Sequence, residues 1–204
     1  MDLKGVTMPG YKVYEYLLVL NPREELRNRI TEVRKEFSKE YKMTTGTGGR
    51  PNLALVHFLN YEMMEDRIIN RLKNIALAYP PFKVELKNFG SFPSHTIHIN
   101  VVSKVPIQNL VKMIRSESQK LMTINDETKP YFILEPHITI GRKLKPWQYE
   151  KGWLEYSNKH FTGRFIADSM LLLKREEKGF PWQIAERFEF KNLPIATKQG
   201  ELFG

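Results

Sequence analysis

The chain has 204 residues, 32 Lys+Arg against 23 Asp+Glu (a net charge of +9), 41% hydrophobic residues and no Cys. That excludes wholesale disorder, disulfides, thiolate metal sites and Cys nucleophiles, fits a reducing cytoplasm, and leaves room for one domain or for one domain of two lobes. No apolar run reaches bilayer-spanning length and the N-terminal MDLKGVTMPGYK lacks the apolar segment of a signal peptide, so no membrane association is expected, while the positive excess favours a polyanionic partner, nucleic acid or nucleotide first.

In chain order, residues 14–20 read as a buried strand ended by Asn21-Pro22, and Pro22 suits the first turn of a helix to about Tyr41. Leu26, Ile30, Val33 and Phe37 form the apolar stripe of that helix. TTGTGG at 44–49 is a loop, 52–58 a short apolar strand, and 62–78 an amphipathic helix with Ile68, Leu72, Ile75 and Ala76 on one face. Period-two alternation in FKVELKNF makes 82–89 a strand. Another strand at 94–102, a helix at 106–121, a strand at 138–142 and a helix at 146–159 follow. Two closing strands, 165–174 and 182–190, are joined by a charged turn.

The order repeats. Arg50-Pro51-Asn52-Leu53-Ala54-Leu55 lies over Glu135-Pro136-His137-Ile138-Thr139-Ile140 at an offset of 85 residues, each a Pro followed by alternating polar or small and apolar positions. Such a duplication predicts an α+β fold of two pseudo-symmetric lobes, each an antiparallel sheet with helices, around a central groove where the equivalent strands meet. The whole of 1–204 is expected to form this single bilobal domain.

Among five histidines, His137 is the leading candidate for chemistry. His137 and Thr139, two apart on a strand, project to one face while Ile138 and Ile140 project to the other. An imidazole titrating near neutrality beside a hydroxyl supplies a proton-transfer group and an anion ligand; the alternative is a strand-edge His capped by its Thr neighbour. Thr96, His98 and Asn100 share a polar strand face, which makes His98 a candidate phosphate ligand or surrogate base, or a solvated strand residue. His57 lies five positions after Asn52, so on a regular strand it points away from that residue's face. His160, near a helix end, is explained by the helix dipole. Arg142 is a candidate anion ligand only if a bulge at Gly141 reverses its parity relative to His137, and Arg50 stands at the groove mouth. Each of these cations is otherwise a solvated surface charge.

The glycine-rich 46–49 stretch lacks the Gly-Lys-Ser/Thr of a phosphate loop and precedes a strand, which demotes it. Tyr149, Trp153 and Tyr156 recur at helical spacing and read as packing on a sheet more than as a base-stacking platform. No acidic pair stands out, and no His/Asp/Glu cluster has metal-ligand spacing.

Pro136-His137-Ile138-Thr139-Ile140, taken with its repeat, resembles the His-x-Thr motif of the two-histidine (2H) phosphoesterase superfamily, in particular its 2′-5′ RNA ligase-like, or RNA 2′,3′-cyclic phosphodiesterase, branch. The resemblance spans roughly residues 14–190 and implies the 2H, or LigT-like, fold. It also implies two His-x-Thr/Ser motifs facing a cleft, one His acting as general acid and one as general base without metal or other cofactor, and hydroxyls holding the phosphate. Carried over, His137 and Thr139 are the catalytic pair, and Asn52, His98, Arg142 and Arg50 are substrate-binding candidates. The expected partner is RNA or a nucleotide bearing a cyclic phosphate, handled by a monomer. This chain departs from the pattern at the first motif, where Asn52 stands for His and Ala54 for Thr or Ser. Asn can hydrogen-bond a phosphate but cannot exchange a proton at neutral pH, so the alternative to an enzyme is an inactive binding module using the same groove.

Overall fold

A computed structural model describes residues 10–43, 49–176 and 180–194. The extreme N-terminus, most of the TTGTGG loop and part of the turn between the last two strands lie outside these residues. Strand β1 (Val13–Leu20) is followed by α1 (Glu24–Glu40) and β2 (Leu53–Tyr61). A single 3-10 turn at Glu62–Met64 leads into α2 (Glu65–Ala78), then β3 (Phe82–Phe92), β4 (Thr96–Val101) and α3 (Lys104–Met122). The chain continues through β5 (Tyr131–Phe132), β6 (His137–Arg142), α4 (Pro146–Tyr156), β7 (Thr162–Ala167), β8 (Ser169–Arg175) and β9 (Gln183–Glu189).

Apolar periodicity places these elements. In β1 the alternate residues Tyr14, Tyr16, Leu18 and Leu20 are buried in the core, and Tyr16 stacks on Phe58 of β2. In α2 the buried residues are Ile68, Leu72, Ile75 and Ala76, the stripe expected from spacing. Tyr156 is buried, and Tyr149 and Trp153 pack partly buried against the core, so the aromatic stripe of α4 is a packing face.

All strand pairs are antiparallel and form two sheets, one in the order β5-β2-β1-β8-β9 and one in the order β6-β4-β3-β7. The two halves are interlocked: β3, which closes the first half, pairs with β4, and β8, from the second half, pairs with β1. Helices cross over too, with α1 packing on β6 and α3 on β2. Each sheet thus carries helices on one face, and the faces left free look into the groove between them. The motif strands β2 and β6 meet there.

One expectation is corrected. Residues 165–174 are not one strand: β7 ends at Ala167 in one sheet and β8 starts at Ser169 in the other. Asp168 forms the step between them, its carbonyl accepting from the Phe190 amide at 2.8 Å and its carboxylate lying 3.7 Å from Arg187. The two-residue β5 has no periodicity to announce it; it exists because β2 offers an edge at Val56 and His57.

The duplication is visible in three dimensions. Arg50 to Leu55 and Glu135 to Ile140 share one burial sequence: exposed, buried, intermediate, buried, intermediate, buried. Both strands also carry a β-bulge at the same offset. Against β1, Ala54 pairs with Val19 and Val56 with Leu18, so Leu55 is the extra residue. Against β4, Thr139 pairs with His98 and Gly141 with Ile97, so Ile140 is the extra residue.

Phe37 clamps α1 to its sheet. Its fully buried ring contacts Tyr41 and Tyr156 and lies where a Cβ on Gly141 or Gly152 would be 2.5 or 3.0 Å away. Phe37→Ala is expected to lower unfolding free energy by about 3–5 kcal/mol. Urea denaturation measures this, and a loss under about 1 kcal/mol would show that the ring is not the clamp.

Candidate active site

The site is built on β6, whose buried Ile138 and Ile140 force His137 and Thr139 to the groove side. Directly opposed residues of an antiparallel pair share a face. On the groove side Asn100 therefore faces His137, His98 faces Thr139, and Thr96 faces Arg142. The last pairing exists only because Ile140 is bulged, which absorbs one residue of register. The structure thus supplies the bulge that the parity of Arg142 required, one residue before Gly141, and brings Arg142 onto the face of His137 and Thr139.

His137 lies 2.7 Å through Nδ1 from the Glu135 carbonyl oxygen. That acceptor assigns the proton to Nδ1 and leaves Nε2 for chemistry. Burial pulls the His137 pKa below the ordinary histidine value, against the opposing effects of the Glu135 carbonyl bond and carboxylate. Phe92 presents its edge at 4.9 Å between centroids, and the His98 ring lies at 5.0 Å.

His98 is 6% exposed, stacks on Phe92 at 4.6 Å and is pulled down to about 4 by burial, then by the charge of His137, with the Asn100 hydrogen bond opposing. Its neighbour across β3 is Gly90, where a Cβ would come within 2.2 Å of Asn100 Oδ1 and 2.7 Å of His98 Nε2. Only a glycine leaves room for those side chains. The Asn100 amide is oriented by donating from Nδ2 to the Phe89 carbonyl at 2.8 Å. His98 Nδ1 is buried with no hydrogen-bond partner. So His98 joins His137, but as a neutral ring packed behind it.

At the first motif, Asn52 and Ala54 share the groove side of β2, with Leu53 and Leu55 buried. Asn52 Nδ2 reaches the Arg50 carbonyl at 3.4 Å. This longer contact occupies the place of the His137–Glu135 bond in the other half. Asn52 thus keeps the donor that orients the motif residue and lacks the second ring nitrogen. Arg50 is exposed, and it is its carbonyl that touches the motif residue.

Sequence reasoning missed Arg34. Its Nε donates to the Thr139 carbonyl at 2.8 Å and its Nη1 to the Gly49 carbonyl at 3.4 Å, joining the two motif segments. Burial and then the nearby Arg142 charge lower its pKa to about 10. Among the described residues neither arginine has a carboxylate partner. The available signal was position, since Arg34 falls four after Ile30 and three before Phe37, inside the apolar stripe of α1. Arg34 also lines a cavity of about 560 Å³ with Thr31, Lys35, Ser38, Lys39 and Gly49, whose walls do not include His137. Among the described residues no three His, Cys, Asp or Glu side chains converge as a metal site.

Comparison with known proteins gives the family and the fold. A family model described as the 2′-5′ RNA ligase superfamily matches residues 22–179. A "putative phosphoesterase" of Geobacillus kaustophilus is 26% identical over 179 residues, covering 85% of this chain and 95% of that protein. The fold is similar to TT0787 of Thermus thermophilus (TM-score 0.63, 17% identity, 87% of this chain and 98% of that one). It is also similar to E. coli LigT complexed with 3′-AMP (TM-score 0.57, 13% identity, 88% and 98%), a protein also solved with phosphate and with ATP.

His98 makes the site pH-sensitive. Its pKa near 4 in the fold lies below the ordinary value of 6.5. Between these values the unfolded chain binds a proton that the native chain refuses. Its contribution to stability is therefore complete above pH 6.5 and lost as pH falls towards 4, by up to roughly 3 kcal/mol. Urea unfolding at pH 7 and 4.5 is expected to show this loss, and His98→Leu to reduce it. An equal loss in the variant would refute the assignment.

Proposed function

The chain belongs to the 2′-5′ RNA ligase superfamily, and from that membership we propose that it performs acid–base phosphoester chemistry on RNA or a nucleotide, opening a 2′,3′-cyclic phosphate or handling a 2′-5′ linkage. The observation that carries this reading is the row His137, Thr139 and Arg142 on one face of β6, with the His137 Nδ1 fixed by the Glu135 carbonyl. In ring opening, a water oxygen bonds to phosphorus and one phosphorus–ribose oxygen bond breaks. One proton leaves the water and one arrives at the ribose oxygen. Nε2 of His137 moves one of these protons, the Thr139 hydroxyl donates to a non-bridging oxygen, and Arg142 balances the charge that develops there. The Asn52 amide adds a neutral hydrogen bond from the other strand.

Nucleotide binding in this groove is supported by the net charge of +9 and by the likeness to a fold solved with 3′-AMP. No helix of the described residues is long and apolar enough to cross a membrane. We propose that it acts as a monomer in a reducing cytoplasm, a compartment that the absence of Cys suits. The Asn52/Ala54 pair favours one rival reading, a groove that binds RNA ends without turning them over.

Purified protein incubated with RNA ending in a 2′,3′-cyclic phosphate is expected to open the ring. His137→Ala should reduce the rate by about 10²–10⁴-fold. Equal background in both proteins, with RNA still bound, would establish the binding module instead. Rebuilding the first motif by Asn52→His with Ala54→Thr is expected to raise the rate by at least tenfold if no other groove residue already moves the second proton, and no gain would mean that one does or that the first half-site serves another task.

A further inference from the structure

Ring opening moves two protons, and the first motif has lost the imidazole that would move the second. Three groups compete to replace it. Asn52 has no titratable proton. His98 is buried, and its Nδ1 is enclosed on the same sheet as His137. The third is His57, which a count along a regular strand points away from the groove.

The bulge at Leu55 reverses that count. Beyond it His57 pairs with Leu17, as Ala54 pairs with Val19, so His57 and Ala54 share the groove face. The bulge takes up one of the three steps between them, which leaves His57 about 7 Å along the strand from Ala54. Its counterpart at the 85-residue offset is Arg142, equally placed beyond Thr139 on β6.

The ring is built for proton exchange. His57 Nε2 lies 2.6 Å from Glu15 Oε1, so Nε2 carries the proton bonded to the carboxylate and Nδ1 is the ring's basic nitrogen. Arg175 Nε donates to the other Glu15 oxygen at 2.6 Å, and its guanidinium lies 4.3 Å from the Trp182 ring centroid. Burial alone would raise the Glu15 carboxyl, but the bonds from His57 and Arg175 and their charges hold it at about 2. The carboxylate is therefore fixed and ionised, and it holds the His57 ring in one orientation with Nδ1 left unbonded to it. Glu15 is 8% exposed, whereas the His57 side chain is 30% exposed, so the orienting group is enclosed and the working group open. Around His57 stand Glu15 and Leu17 from β1, Arg175 from β8, and Tyr131 from β5, which is paired with it.

We propose that His57, oriented by Glu15, is the second proton-transfer group of the groove and replaces the histidine missing from position 52. In one turnover one of His137 and His57 accepts the proton of the attacking water and the other protonates the departing ribose oxygen. The ring's proton count is restored when they exchange with solvent. This assignment rests on the phosphoesterase reading above. It makes Glu15 a positioning residue and leaves Asn52 as a hydrogen-bonding remnant.

The test is steady-state kinetics on a 2′,3′-cyclic nucleotide and on short RNA ending in a cyclic phosphate, with inhibition by inorganic phosphate as an independent measure of the groove. Arg175 still pairs with Glu15 in His57→Gln, so no buried charge is stranded and the fold is expected to hold. His57→Gln should lower kcat by about 10²–10⁴-fold with KM and phosphate inhibition unchanged, and Asn52→His with Ala54→Thr in that background should restore at least tenfold. Glu15→Gln should lower kcat by a smaller factor and leave KM alone. If His57→Gln keeps kcat within about twofold of the parent while His137→Ala is inactive, His57 is not the second group and the phosphoesterase reading stands. Loss of phosphate inhibition together with kcat would reduce His57 to a structural residue and overturn the proposal. No turnover by the unaltered protein would overturn the phosphoesterase reading and this assignment with it.

Discussion

The site depends on a β-bulge that occurs twice. An extra residue in one strand shifts register by one, and since side chains alternate sides, everything beyond it changes face. At Ile140 this turns Arg142 towards His137 and Thr139, and at Leu55 it turns His57 towards Asn52 and Ala54. Both bulged residues are wholly buried leucine or isoleucine. Burying such a side chain is worth about 1.5–3 kcal/mol, so the irregularity is held by the core beneath it. A strand without the bulge would send a charged side chain into that core.

Interlocking keeps the two bulged strands in register with one another. The first half lends β3 to the sheet of β4, β6 and β7, the second half lends β5, β8 and β9 to the sheet of β1 and β2, and α1 and α3 pack on the opposite motif strand. Neither half can bury its apolar faces alone. Phe37 seals one of these crossings against Gly141 and Gly152, and Arg34, from the same face of α1, ties the Thr139 and Gly49 carbonyls together. The groove is therefore lined by residues whose backbones are fixed from both sides.

Electrostatically the two sides differ. On the side built from β4 and β6, burial keeps His98 neutral and lowers His137, while Arg142 and Arg34 of α1 stand close together without a carboxylate partner among the described residues. Like charges held together are costly, and an anion lying between them relieves that cost. On β2 the charges are already paired, with Glu15 holding both His57 and Arg175. One side is arranged to receive negative charge and the other to exchange a proton.

Much of this was legible in the chain itself. Local periodicity marks β1, α1, α2 and α4 with their buried faces, because each of those patterns depends only on neighbouring residues. The 85-residue repeat and the His137/Thr139 pair are legible for the same reason, as is the asparagine that stands at position 52 where the repeat has His137. The sequence could not show that residues 165–174 break at Asp168 to serve two sheets, or that β5 forms, since each depends on which edge another strand leaves open. Nor could it set the faces of Arg142 and His57, since a bulge is defined only against the partner strand. It named the residue types and their spacing; the pairing of β2 with β1 and β6 with β4 decided which of them share the groove.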